Sequence, residues 1–319
     1  MKVKLATAKL DCHKLTLRSS ELMYNIKKSK FLLLLLLPGF IYYLIFCYVP
    51  MYGIVMAFQN FLPGKPILQS EWGGLKWFYQ YFNSIYFHRT LRNTLLINVY
   101  YLFWGFPMPI IFALLLNEIK DGLFKRSIQT ISYLPHFIST VVLAGIVVNF
   151  LSPSDGIINL MITKLGGKPV NFLNEPGWFR TIYITSSIWA SFGWNSIIYI
   201  ASISSINPEL YQAASIDGAN RWHMVIYITL PDIAPTMITL LILSLGGLLS
   251  VGYEKIILLY NSITYETADV ISTYVYRRGI LDGAFSFGTA VGLFNSVINF
   301  IFIITANWLS KKVTKIALW

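Results

Sequence analysis

Long apolar stretches alternate with shorter polar segments along this 319-residue chain. A helix needs about 20 mainly apolar residues to cross the hydrocarbon core of a bilayer, and each stretch reaches that length. The pattern predicts an all-α polytopic membrane protein with six transmembrane helices near residues 31–58, 91–117, 128–150, 181–205, 236–260 and 285–310. No internal repeat and no soluble domain of independent size interrupts this pattern.

The composition agrees with a membrane-embedded chain. The mean hydropathy is +0.59, and only 12% of the residues are charged, whereas about 25% of a soluble domain is charged. Aromatic residues make up 16% of the chain, and Trp and Tyr favour the membrane interface. Membrane lipids are therefore the expected surroundings of much of the surface.

The positive charge lies beside the apolar stretches. The net charge is +11, and eight of the 25 Lys and Arg residues precede residue 31. This distribution is typical of topology signals and of contacts with anionic lipids. No recognition motif for nucleic acid accompanies the charge, so we predict no nucleic-acid partner.

Six spans would place both termini on one side of the membrane. Basic residues gather on that side before the first span, in the second loop and after the last span: Lys27, Lys28, Lys30, Lys120, Lys125, Arg126, Lys311, Lys312 and Lys315. The positive-inside rule makes that side cytoplasmic. We therefore predict a multi-pass membrane protein with both termini in the cytoplasm.

The first 30 residues form a basic segment ahead of the first span. The apolar run that follows is too long for the core of a signal peptide, and it lacks an Ala-x-Ala cleavage pattern. We predict that this first span is retained. The predicted domains are a basic cytoplasmic segment over residues 1–30 and a single transmembrane domain over residues 31–319.

A polar loop at about residues 206–235, between the fourth and fifth predicted spans, is rich in small residues. It predicts two short helices joined by a tight turn. Asn207-Pro208 supplies a cap and a first-position proline, Asp217-Gly218 supplies the turn, and Leu230-Pro231 stops the second helix. A short helix with a small-residue face, held outside a bilayer, suits a groove of another protein. The loop is therefore a predicted docking element.

Two adjacent charges interrupt the apolar sequence near the outer end of the fifth predicted span. Ionisable residues in a span are costly and usually face a pore or a partner, so Tyr253, Glu254 and Lys255 are candidates for lining a substrate pathway. Adjacent helix positions point about 100° apart, so the two charges cannot both face one spot. The alternative is an interfacial Lys255 that snorkels to the headgroups, with Glu254 paired to another subunit.

Two further features have open interpretations. Arg277 and Arg278 lie in the outer loop before the last span, where the alternatives are contact with another protein, contact with an acidic sugar, or simple solvation. Gly288 and Gly292 form a GxxxG spacing in the last span. Such a spacing lets helices approach closely, but it also occurs by chance.

Motifs of several enzyme classes are absent from the sequence. There is no GxxxxGK[ST] phosphate loop, no HExxH and no GxSxG, and the four histidines show no metal-ligand spacing. We predict no catalytic residue, no metal site and no cofactor in this chain. An ion-coupled secondary transporter remains an alternative, although that class commonly has several mid-membrane ionisable residues and internal repeats.

The docking loop resembles the cytoplasmic EAA loop of permease subunits of binding-protein-dependent ABC importers. The family pattern is Glu-Ala-Ala, two residues, Asp-Gly-Ala, and a Leu-Pro about eleven residues later. The residues that match are Ala213, Ala214, Asp217, Gly218, Ala219, Leu230 and Pro231. Gln212 departs from the pattern, because the family usually has Glu at this position.

The resemblance extends over nearly the whole chain. It is carried by VPMYGIVMAFQNF, RNTLLINVYYLFWGFPMPIIFALLLNEI, QTISYLPHFIS and YETADVISTYVYRRG. These segments look like the LplB-type oligosaccharide and polysaccharide branch, which is similar to alginate-importer permeases and shares a superfamily with maltose permeases.

The resemblance implies a type I ABC importer permease fold in a bacterial plasma membrane and a non-catalytic role. This chain would be one of two pore subunits, beside a second homologous permease. Two ABC ATPase subunits, which hold ATP and Mg, would dock on the loops, and an extracellular solute-binding protein would deliver an oligosaccharide. In the family the loop Glu faces a basic ATPase residue, so Gln212 would offer a hydrogen bond there instead of a salt bridge.

Overall fold

The computed structural model describes residues 28–314, and side chains as far as Lys312. Most of the predicted basic segment, residues 1–27, and Lys315 lie outside the described residues. The described part contains two short strands, β1 and β2, and α-helices numbered α1 to α15. In chain order these elements are α1 Lys30–Tyr43, β1 Gln59–Asn60, β2 Glu71–Trp72, α2 Lys76–Phe82, α3 Ile85–Gly105, α4 Pro107–Glu118, α5 Leu123–Tyr133, α6 Thr140–Leu151, α7 Ile157–Lys164, α8 Pro176–Ser204, α9 Pro208–Ile216, α10 Arg221–Met224, α11 Leu230–Gly246, α12 Tyr253–Leu259, α13 Tyr265–Ala268, α14 Ile271–Val275 and α15 Phe285–Thr314.

The chain divides into two compact units, one ending at Val55 and one beginning at Met56. In the first unit, α1 continues into a π-helical turn over Leu44–Tyr48. The side chains of α1 are almost entirely apolar, and none of them is buried. A helix that is apolar all round and unburied is suited to contact with lipid.

Four helices of the described part are long and apolar enough to cross a membrane. They are Lys30–Phe58, Ile85–Glu118, Arg221–Gly246 and Phe285–Lys312. A fifth span is added if the bent pair of α5 and α6 counts as one. The predicted helical class is confirmed, and length and composition identify four or five of the six predicted spans.

The third predicted span, residues 128–150, is wrong as a single helix. The chain bends by 103° between α5 and α6. Pro135 lies in a 3-10 turn over Leu134–Phe137, and Ser139 then caps α6 by accepting a hydrogen bond from the Val142 N–H at 3.4 Å. A proline followed by a capping residue starts a new helix in a new direction.

The fifth predicted span, residues 236–260, also breaks. Helix α11 ends at Gly246, and α12 begins at Tyr253. In the break, the Leu249 N–H donates to Asn299 Oδ1 of α15 at 2.8 Å. Irregular backbone is tolerated at membrane depth where it is buried in protein and its polar groups are satisfied, and Leu249 is fully buried.

Helix α8 lies at the centre of the second unit. It spans 29 residues and contacts α3, α4, α5, α11 and α13. Its sequence contains many Ser, Thr, Tyr and Trp residues, and several of its Ser and Thr hydroxyls donate to carbonyl groups in the preceding turn of the same helix. Because neighbouring helices surround it, α8 does not need the uniformly apolar surface of a lipid-facing span.

The two short strands pair in antiparallel fashion, with Gln59 opposite Trp72 and Asn60 opposite Glu71. The Trp77 indole N–H donates to the Gln59 carbonyl at 2.8 Å and fixes this pair beside α2. Helix α2 in turn packs on α15. The strands therefore belong to the end of the second unit at which α3 and α15 begin.

Candidate functional site

The predicted docking element begins with α9. Asn207 caps this helix by accepting a hydrogen bond from the Glu209 N–H at 3.0 Å, and Pro208 occupies its first position. The proline costs no helical hydrogen bond there, because the first N–H groups of a helix have no intrahelical partner. The predicted start of the first helix is confirmed.

A tight turn follows α9. Gly218 has φ of +79°, a left-handed conformation that residues with a Cβ rarely adopt. The Ala219 N–H donates to the Ala214 carbonyl at 2.9 Å and closes the turn. Asn220 then caps α10 by accepting from the His223 N–H at 2.9 Å. The turn predicted at Asp217-Gly218 is confirmed.

The predicted stop at Leu230-Pro231 is wrong. Helix α10 continues through a π-helical turn, Val225–Thr229, into α11, so that Arg221–Gly246 is one helix of 26 residues. Proline lacks an N–H and crowds the carbonyl one turn earlier, and a wider π turn at that place accommodates it within a continuous helix. The second docking helix is thus the beginning of a membrane-length helix.

Two side-chain contacts hold the loop against the rest of the protein. The Tyr211 hydroxyl of α9 lies 2.9 Å from Thr229 Oγ1, and the Arg221 guanidinium donates to the Glu118 carboxylate at the end of α4 across 2.8 Å. Tyr211 and Leu230 also pack on an apolar cluster that includes Ile233. These contacts join the loop to α4 and α11.

The structure brings together the loop residues that the sequence predicts. Gln212, Ala213, Asp217 and Gly218 are exposed, and Ala214 and Ala219 are partly buried. Pro231 is exposed, whereas Leu230 turns toward the apolar cluster. Large apolar side chains beside this group also reach the surface, with exposed fractions of 87% for Ile216 and 75% for Trp222. A small-residue helix next to exposed apolar side chains is suited to a protein interface.

A cavity of about 550 Å³ lies between α3, α8 and the start of α12. Tyr253, Glu254 and Lys255 all line it. Glu254 is exposed, whereas Lys255 is buried, with 9% of its surface accessible. The side chains of Glu254 and Lys255 point in different directions, as adjacent helical positions require, yet both line the same cavity.

The alternative of a snorkelling Lys255 is wrong. Its ammonium donates to Ser187 Oγ at 2.6 Å and to the Tyr183 carbonyl at 3.1 Å, both on α8. It also lies 4.8 Å from the centre of the Tyr183 ring. A buried charge is stabilised only when it is hydrogen-bonded, and here α8 supplies the bonds.

The other walls of the cavity combine aliphatic side chains with hydroxyl groups and aromatic rings. The Tyr101 hydroxyl lies 3.1 Å from Ser191 Oγ, and the His136 ring is stacked on the Trp194 ring with 4.6 Å between their centres. Rings and hydroxyls are the groups that ligand sites use to hold polar molecules. Among residues 28–314, no group of three or more His, Cys, Asp or Glu side chains is arranged to hold a metal ion.

Sequence reasoning missed a buried ion cluster formed by α3, by α14 and by the segments just before and just after α14. Asp269 is fully buried, and its carboxylate accepts from Arg89 at 3.0 Å and from Arg277 at 2.9 Å. The Thr273 hydroxyl donates to the same carboxylate at 2.9 Å. Asp269 was the available signal, because a carboxylate that becomes buried requires cationic partners.

Comparisons with known proteins agree with this architecture. Residues 105–315 match the family described as binding-protein-dependent transport system inner membrane component. Protein LplB of Bacillus subtilis strain 168 is 43% identical over 290 residues, 91% of each chain. The polygalacturonan/rhamnogalacturonan transport system permease protein YteP of the same organism is 44% identical over 295 residues, 92% of each chain.

Solved structures show the same fold. A chain of a bacterial ABC transporter involved in the import of the acidic polysaccharide alginate superposes with a TM-score of 0.84 and 48% identity, over 92% of this chain and 99% of that chain. The match confirms the predicted ABC permease fold in a multi-pass membrane protein. This chain belongs to the family of binding-protein-dependent transport system inner membrane components.

Proposed function

We propose that this chain is the transmembrane pore subunit of an ATP-driven ABC importer for oligosaccharides. Family membership and the named activities of the relatives support this function. The single observation that carries it is the docking loop, whose second helix runs without interruption from Arg221 into a 26-residue apolar helix. A push on the exposed face of this loop moves a membrane-length helix.

The proposed ATPase contact is formed by Gln212, Ala213, Ala214, Asp217, Gly218 and Ala219, with Leu230 and Pro231 on the following helix. The loop requires shape and stiffness rather than a reactive group. It biases the pore only by the difference in its contacts between two states of the ATPase. The bonds of Tyr211 and Arg221 to neighbouring helices supply the stiffness.

The proposed complex contains a second homologous permease, two ABC ATPase subunits and an extracellular solute-binding protein. The sequence has no phosphate loop, so ATP and Mg would be held by the ATPase subunits. One solved relative is a bacterial alginate ABC transporter in complex with a periplasmic protein bound to an alginate pentasaccharide. That arrangement supports delivery of the sugar by a separate protein.

The proposed orientation places the docking loop, and with it both termini, in the cytoplasm of a bacterial cell. The distribution of Lys and Arg along the sequence supports this orientation.

The cavity lined by Tyr253, Glu254 and Lys255 forms part of the proposed sugar pathway. Its rings, hydroxyls and ammonium match the hydrogen-bonding groups of a carbohydrate. Ion-coupled secondary transport, the alternative from the sequence, receives no support from the family.

The proposed function is tested by purifying the complex through a tag on this chain and identifying the proteins that accompany it. A second permease and an ABC ATPase are expected. In vesicles, ATP hydrolysis by that complex should rise when the solute-binding protein and its sugar are added together. Sugar uptake by this chain alone, without ATP, would contradict the proposal and favour ion-coupled transport.

A further inference from the structure

A second recess, of about 560 Å³, opens at the other end of α3 from the docking loop. Its walls include Tyr86 and Arg89 on α3, Tyr265 and Tyr274 on α13 and α14, and Arg277 and Arg278 on the π-helical segment Tyr276–Leu281. None of the residues that line the recess is acidic. The wall therefore presents three guanidinium groups to one open space.

The acidic partners of these guanidiniums do not neutralise the recess. Asp269, which bonds both Arg89 and Arg277, is completely buried behind the wall. One carboxylate thus serves two guanidiniums and leaves one positive charge uncompensated. Arg278 pairs with Asp282 one helical turn away at 2.8 Å, and both side chains of that pair are nearly half exposed. Such an exposed pair exchanges partners at little cost.

Aromatic rings hold the cations in place. The Arg89 guanidinium lies 4.9 Å from the centre of the Tyr86 ring, and that of Arg277 lies 4.9 Å from the Tyr265 ring. Tyr86 and Tyr274 are themselves stacked at 5.2 Å. Positioned guanidiniums lose little freedom when they bind a carboxylate, for which their planar geometry is suited. The Arg side chains retain exposed fractions of 23% to 46%, so a ligand can reach them.

The recess and the docking loop lie at opposite ends of one long helix. Residues Ile85–Glu118 form a helix of 34 residues, in which Arg89 lines the recess and Glu118 bonds the docking loop. At 1.5 Å per residue these two positions are about 44 Å apart, more than the roughly 30 Å of a hydrocarbon core. If the docking loop is cytoplasmic, as the proposed function requires, the recess opens on the outer face.

We propose that this recess is a binding site for a carboxylate of an acidic, uronate-bearing oligosaccharide, separate from the cavity at Lys255. The inference rests on the proposed function for its outward orientation. A sugar is favoured over an acidic protein side chain because the cations lie within a concave recess of ligand size. An acidic oligosaccharide would thus be held at the outer face before it enters the pathway.

The test measures equilibrium binding of trigalacturonate to the purified full-length chain in lipid nanodiscs, without ATP, ATPase or solute-binding protein. Its fully methyl-esterified form, which has the same rings but no charge, is the comparison ligand. We expect the acid to bind at least about tenfold more tightly than the ester, since charge-assisted hydrogen bonds carry the difference. Failure of the transport proposal would leave this binding measurement unchanged, so the two failures are distinguishable.

Two variants are expected to change the affinity of the recess for the acid in opposite directions, and neither replaces a residue of the buried Asp269 cluster. Arg278→Gln removes one exposed cation, and we expect about tenfold weaker binding of the acid with no change for the ester. Asp282→Asn frees Arg278 from its partner, and we expect about threefold tighter binding of the acid. Lys76→Gln is the matched control, because Lys76 is an exposed cation near the same face that does not line the recess.

Equal binding of the acid and the ester would overturn the proposal, and so would no binding of the acid up to millimolar concentration. The same conclusion follows if Arg278→Gln and Lys76→Gln have equal effects in variants that elute as folded chains. In a separate measurement the solute-binding protein is added to the same nanodiscs. If it binds in a way that depends on Arg278 while trigalacturonate does not bind, the recess is assigned to an acidic protein side chain and the sugar proposal is overturned.

Discussion

The Arg221 guanidinium, at the first residue of the second docking helix, donates to the Glu118 carboxylate across 2.8 Å although 103 positions separate the two residues. The bond joins the docking loop to the C-terminal end of the helix that begins at Ile85. Together with the contact of Tyr211 and Thr229, it ties the loop to the helical bundle. The loop is thereby fitted to transmit a displacement.

The Arg221–Glu118 pair should serve coupling more than stability. Both partners are exposed to solvent, so we expect Glu118→Gln to change the free energy of unfolding by less than about 1 kcal/mol, while lowering the sugar transported per ATP. The reciprocal exchange, Glu118→Arg with Arg221→Glu, should restore part of that ratio. The measurement is sugar uptake and ATP hydrolysis in the same vesicles. Equal ratios of sugar transported to ATP hydrolysed in all variants would show that the Arg221–Glu118 pair has no role in coupling.

Asp269 should be essential to the stability of the second unit. Asp269→Asn leaves two guanidiniums around a buried group that carries no charge, and breaking a buried ion pair costs about 3–5 kcal/mol. We expect a large fall in the thermal unfolding temperature of the purified chain. Asp282→Asn, which breaks an exposed pair nearby, is the control and should cost less than about 1 kcal/mol. Similar losses in both variants would contradict the structural role of Asp269.

The two glycines of the GxxxG spacing should behave differently. A Cβ on Gly288 would lie 2.8 Å from the Gly279 Cα atom, whereas a Cβ on Gly292 would meet no atom within 4 Å. We expect Gly288→Ala to destabilise the chain by about 1–3 kcal/mol and Gly292→Ala to be neutral or slightly stabilising. Thermal unfolding of the two variants decides this, and equal unfolding temperatures would refute the close contact between Gly279 and Gly288.

Lys255 should affect passage of the sugar rather than assembly of the complex. Lys255→Met keeps an apolar stem of similar shape but removes the ammonium that bonds α8, and we expect uptake to fall by about tenfold or more. The amount of ATPase that copurifies should not change. Leu258→Met, on the same short helix, is the matched control. Normal uptake by a stable Lys255→Met complex would remove Lys255 from the proposed pathway.

Sequence reasoning succeeded where the determinants are local. The cap at Asn207 and the turn at Gly218 depend on a few neighbouring residues, and both are present as predicted. The helix end predicted at Pro231 was wrong because the effect of a proline depends on whether the preceding turn can widen into a π turn. The presence of a single proline in the sequence does not reveal this. The bend after Pro135 was missed for a related reason, since the apolar run over residues 128–150 continues across it.

Features that join distant parts of the chain could not be read from the sequence. Asp269 and Arg89 are 180 positions apart, and only the fold shows that they meet. Gly288 lies against Gly279, which precedes the helix, whereas Gly292 of the same GxxxG spacing meets no atom within 4 Å. Lys255 was identified as unusual, but its hydrogen bonds to α8, and hence its burial, depend on how α12 packs after the break in the fifth predicted span.

The central claim, that the docking loop couples ATP hydrolysis to transport, is tested most directly at Gly218. The measurement is sugar uptake and ATP hydrolysis by the complete complex in vesicles, with Gly218→Val compared with Gly218→Asn. Valine is strongly disfavoured at φ of +79°, whereas asparagine tolerates that region better. We predict that the valine variant enters the membrane normally but loses coupled uptake, and that the asparagine variant retains part of it. Normal uptake by a well-expressed Gly218→Val complex would contradict the account.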